Sequence, residues 1–136
     1  SALHEAMQRH HAGATTSEDR ALAAETLQQY ANLRMDSDVT RCKLYALLLP
    51  AYTILGDKEA CSRMVGVIQG LLLAVKAEQS RALLLVTLYG CTDNCIYHDQ
   101  AHGIVDGWRT EERPKKIKAQ LIRRLDDYDE WLGHRR

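Results

Sequence analysis

Apolar positions recur at helical spacing along most of the chain. Leu3–His11 predicts a short helix that stops at Gly13. Ser17 is expected to cap a second helix, whose first turn carries Glu18 and Asp19, the acidic start that a helix N-terminus favours. Along it Leu22, Thr26, Tyr30 and Leu33 share one face, and Met35–Asp38 ends it. A third helix, about Val39 to Leu55, carries the stripe Leu44, Leu47, Leu48, Ala51 and Leu55. Pro50 lies inside it and predicts a bend, because proline removes a helical hydrogen bond. Gly56 closes this helix and Asp57 caps the next, from Lys58 to about Val75. A fifth helix, about Ala77 to Gly90, is apolar nearly all round over Ala82–Tyr89, as a buried helix is. Leu and Ala outnumber β-branched residues there, which argues against a strand. Cys91–Asn94 reads as a turn, and a weaker helix covers about Asn94 to Trp108. The last helix, about Pro114 to Leu132, sets Ile117, Leu121, Leu125, Tyr128 and Leu132 in one stripe and charges elsewhere. Such a helix lies on top of something.

Composition agrees with an all-α chain. Leu and Ala supply 35 of 136 residues, Phe is absent and there are two Pro. The length suits a single domain spanning residues 1–136. Net charge is zero, but its distribution is uneven. Residues 69–108 hold 2 basic and 4 acidic side chains, whereas residues 109–136 hold 9 and 6. The middle therefore reads as buried or partner-facing and the end as solvated. No apolar run approaches the roughly 18 residues that would cross a bilayer, and the polar stretch Ser1–Gln8 is unlike a secretory signal. A start without Met points to processing or to a piece of something longer, and a cytoplasmic location is expected. Cys42, Cys61, Cys91 and Cys95 are expected to be reduced and buried, because a chain of this length builds a core without disulfides.

Helices of this length joined by tight turns suggest stacked hairpins, which makes an internal period worth seeking. Tyr45-x2-Leu48-Leu49-x2-Tyr52-x3-Gly56, followed by Cys61-x3-Val65, resembles a tetratricopeptide repeat. A second unit 37 residues on reads Ala82-x2-Leu85-Val86-x2-Tyr89-x3-Asp93, then His98-x3-His102. Leu49 and Val86 stand where the family has a small Gly, and no Pro closes either unit. The resemblance implies an all-α superhelix of about seven helices in antiparallel hairpins. Residues 1–35 would lead, 39–75 and 77–108 would be the repeats, and 114–132 would be the capping helix. It also implies a protein–protein interaction module, such as a bacterial adaptor, a secretion chaperone or the sensory domain of a regulator. The partner, a peptide, a protein helix or a second copy, would lie in a concave groove. Lys43, Ala46, Pro50 and Thr53 would line it from one unit, and Ser80, Leu83, Thr87 and Cys91 from the next. That groove has little charge, which suits an apolar segment better than an acidic one.

One cluster carries metal-ligand chemistry. Cys91, Cys95, His98 and His102 are zinc-ligand types. On one continuous helix they would span about 16 Å, too far for one tetrahedral site, so sharing an ion needs a chain break after Asn94. Only His98 and His102, one turn apart, would meet easily. The cluster is read as inward-packed core with no metal or cofactor, and a metal- or small-ligand sensor is the alternative. Asp126, Asp127, Asp129 and Glu130 read as a solvated run, and His4, His10 and His11 as surface. No nucleophile signature or phosphate loop occurs, so no enzyme is expected. Lys115, Lys116, Lys118, Arg123 and Arg124 form a basic patch, but Glu111, Glu112, Asp126 and Asp127 offset it, which disfavours nucleic acid.

Overall fold

A computed structural model describes residues 1–134 of the chain. Among them are seven α-helices and no strand, so the fold is all-α with the expected number of elements. They are α1 (Ala2–His11), α2 (Ser17–Tyr30), α3 (Asp38–Leu55), α4 (Lys58–Ala74), α5 (Glu78–Thr92), α6 (Cys95–Arg109) and α7 (Lys116–Trp131). No helix of the described residues is long and apolar enough to cross a membrane.

Local chemistry sets the boundaries. The cap of α2 is Thr16, one residue before the expected Ser17. Its hydroxyl accepts from Asp19 N–H while Asp19 accepts from Thr16 N–H, so two otherwise unpaired donors are satisfied reciprocally. Gly56 ends α3 in the left-handed region, and the Asp57 carboxylate accepts from Ala60 N–H to start α4. Pro50 sits inside α3, which runs unbroken through it. The expected turn at Cys91–Asn94 is tighter than its pattern implied. α5 runs on to Thr92, Asp93 ends it at a φ of 55°, and Asn94 caps α6 by accepting from Ile96 N–H.

The chain forms two compact units, Ser1–Val75 and a second from Lys76 onward. In the first, α3 packs against α1, α2 and α4. Its interior includes Ala6, Met7, Cys42, Leu48, Leu49 and Ile68. In the second, α5, α6 and α7 pack pairwise. The α5 stretch Leu84–Gly90 is buried without a gap, as its all-round apolarity predicted. None of the four cysteines is in a disulfide; only Cys42 is buried, and Cys95 is exposed. The expectation of buried thiols therefore holds for one of them.

Candidate metal centre

The three helices of the second unit converge on a buried polar cluster. α5 contributes Tyr89, which has no exposed surface. Its neighbour Gly90 lies under the Tyr128 ring of α7, where a Cβ would stand 2.3 Å from two ring carbons. That close approach needs a glycine, and it seats the stretch of α7 that carries Asp129. α6 contributes His98 and His102, one turn apart on one face, with ring centres 4.5 Å apart. α7 contributes Asp129, which is 5% exposed.

The Asp129 carboxylate is the hub. Tyr89 Oη donates to Oδ1 at 2.8 Å. His102 Nε2 lies 2.8 Å from Oδ2, and His98 Nε2 lies 3.2 Å from Oδ1. The His98 approach is not a directed hydrogen bond, so this buried Nε2 has no hydrogen-bond partner. The opposite ring nitrogens are held by carboxylates, His98 Nδ1 by Asp99 at 2.9 Å and His102 Nδ1 by Asp106 at 3.1 Å. Ionised carboxylates only accept, so an Nδ1 bonded to one carries the donated proton, and the Nε2 of each ring faces Asp129, which likewise only accepts. Burial, and then the Asp129 hydrogen bond, push the Tyr89 phenol far above its usual range. Tyr89 therefore keeps its proton and stays a donor.

His98, His102 and Asp129 each offer one ligand atom, all within 4.8 Å of one another. Two imidazoles and a carboxylate are a donor set for divalent first-row metals. Metal-bound histidines characteristically give their other N–H to a carboxylate, as Asp99 and Asp106 accept here. His102 Nε2 and Asp129 Oδ2 lie at hydrogen-bond distance, 2.8 Å, so either a proton on the imidazole or a bound metal ion joins them. One divalent ion would satisfy both imidazoles and the carboxylate together.

The other expected ligands lie elsewhere. Cys91 is half-buried near the end of α5 and exposed Cys95 opens α6, and neither is in the three-ligand group. Asp129, expected in a solvated run, is buried instead, because it follows Leu121 and Leu125 at four-residue steps on the inward face of α7. Of the expected groove residues, Lys43 is exposed. Ala46, Thr53, Leu83 and Cys91 are half-buried, while Pro50, Ser80 and Thr87 are buried. Thr53 and Thr87 donate their hydroxyls to the carbonyls of Leu49 and Leu83 in their own helices. Lys43 to Thr53 belong to the first unit and Ser80 to Cys91 to the second.

No protein-family model, curated protein or solved structure matches the chain.

Proposed function

We propose that the second unit is a metal-binding helical module that holds a divalent first-row ion between His98, His102 and Asp129. The observation that supports it best is the orientation of the two imidazoles. Each gives one nitrogen to its own carboxylate and turns the other onto Asp129, and His98 Nε2 has no hydrogen-bond partner there. A structural pair would be expected to leave no such buried nitrogen. The ion would join α6 to α7, so occupancy would change the stability of the unit. That is the behaviour of a metal-responsive sensor or of a metal-stabilised interaction domain.

Calorimetric titration of the purified chain with Zn2+ tests this. One ion per chain is expected, with affinity lost by at least about 100-fold in Asp129→Asn and His102→Gln. Absence of binding, or equal binding by both variants, would contradict it.

A second reading applies to the first unit, which is proposed to dock a peptide or protein. It draws support from Val67 and Leu73 of α4, which are 42% and 85% exposed, and from the resemblance of residues 39–75 to a tetratricopeptide hairpin. A defined partner released by Val67→Asp and Leu73→Asp would support it. A partner indifferent to both would count against it.

A further inference from the structure

The short turn that follows α7 brings a third imidazole near the rings of His98 and Tyr89. Gly133 adopts a φ of +79°, its N–H donates to Glu130 O at 3.2 Å, and His134 N–H donates to Asp129 O at 2.6 Å. These paired bonds form the Schellman turn, which folds the residue after the glycine back over the third residue from the helix end. In most such turns that pair of residues makes an apolar contact. Here the pair is His134 and Asp129, two metal-ligand types in a position that usually holds hydrophobes.

His134 shares one feature with the other two histidines, a carboxylate of its own, though it is bonded through the opposite ring nitrogen. Its Nε2 bonds Asp93 Oδ1 at 2.8 Å. All three imidazoles thus hold one nitrogen on a carboxylate of their own: Asp99, Asp106 and Asp93. The His134 ring centre is 6.0 Å from that of His98 and 6.2 Å from that of Tyr89. Two imidazoles bound to one ion at about 2.1 Å, at a tetrahedral angle, have ring centres roughly 5 Å apart. His134 lies outside the three-residue group, so ligation requires its side chain, 48% exposed, to turn toward His98.

We propose that His134 is the fourth ligand of the ion held by His98, His102 and Asp129. The proposal rests on the metal reading of that cluster. Three imidazole nitrogens and one carboxylate oxygen complete a tetrahedral set suited to Zn2+. A site with four protein ligands leaves no position for a reacting water, which marks the ion as structural or regulatory. Binding then fastens the turn beyond α7 onto α6, so the ion controls where that turn lies.

Cobalt(II) replaces zinc and reports its own coordination in visible absorption, and azide enters only a site with an open position. The experiment titrates Co2+ into wild type, His134→Ala and His102→Ala, then adds azide. Wild type is expected to show the intense bands of four-coordinate cobalt and no response to azide. His134→Ala is expected to bind at least roughly tenfold more weakly, with a spectrum that azide shifts, while His102→Ala takes up no cobalt. Circular dichroism checks that both variants remain helical. A His134→Ala variant with wild-type affinity, or a wild-type spectrum that responds to azide, overturns the role of His134 and leaves the three-residue site standing. A wild-type chain that takes up no cobalt overturns the metal reading and the fourth ligand together.

Discussion

Each unit buries one aspartate among its helices, and the two are satisfied in opposite ways. Asp19 of the first unit meets a fixed cation: Arg9 Nε and Nη2 donate to its two oxygens at 2.8 and 2.7 Å, and Thr16 N–H donates as well. Asp129 of the second unit meets no fixed cation. It accepts from a phenol and faces two imidazole nitrogens whose charge depends on what binds them. A bidentate guanidinium completes a carboxylate permanently, which is how a fold holds a buried charge for structure alone. A carboxylate whose imidazole neighbours can exchange a proton for a metal ion has the capacity to bind one. That contrast assigns a structural role to the first aspartate and a binding role to the second.

The largest effect that would sharpen this contrast is ligand-linked stability. With Zn2+ at about 1,000 times its dissociation constant, the wild-type chain should gain about 4 kcal/mol in chemical denaturation. Asp129→Asn, which binds the ion at least about 100-fold more weakly, should gain no more than about 1.4 kcal/mol, and Asp19→Asn should gain as much as wild type. An equal gain in all three would erase the distinction. Next in size is Gly90→Ala. A Cβ 2.3 Å from the Tyr128 ring must push α7 outward, at a cost of about 1–3 kcal/mol in a denaturant titration without metal. The same variant should bind Zn2+ more weakly, because Asp129 moves with Tyr128. Thr16→Ala removes the cap of α2 and should cost about 1 kcal/mol without altering metal affinity.

The smallest effect separates the two aspartates by pH. Hydrogen bonds from Arg9, opposed by desolvation and aided by Thr16, hold the Asp19 carboxyl well below the usual range. A carboxyl depressed in the folded state contributes stability above its unfolded pKa and loses it as pH falls. The wild-type chain should therefore lose stability below about pH 4, and Asp19→Asn should show a shallower acid decline. Parallel acid limbs for the two proteins would remove Asp19 from the account.

Much of the helical architecture can be read from local chemistry. Gly56 and Asp57 mark a helix end and start within two residues, and the all-round apolarity of Ala82–Tyr89 correctly indicated a buried α5. The cap of α2 falls on Thr16 and not on Ser17, because two adjacent hydroxyls offer the same capping chemistry and the local pattern does not choose between them. The candidate site was half legible. A four-residue step puts His98 and His102 on one face. Asp129 was hidden because Asp126, Asp127 and Glu130 surround it with solvated charge. The signal was its register: 121, 125 and 129 advance by one turn each, so the third shares the inward face of two leucines. Pairing α6 with α7 is a long-range event that no local spacing encodes. The break at Asp93–Asn94 that a shared ion would need is present, yet Cys91 and Cys95 still lie outside the three-residue group, and Cys95 is exposed.

The most direct measurement is zinc X-ray absorption on the chain loaded with one equivalent of Zn2+. Nitrogen and oxygen neighbours only, at about 2.0–2.1 Å and with the outer-shell scattering of imidazole rings, are the predicted result. A sulfur shell at about 2.3 Å, which would return the site to Cys91 and Cys95, or a chain that retains no zinc, would contradict it.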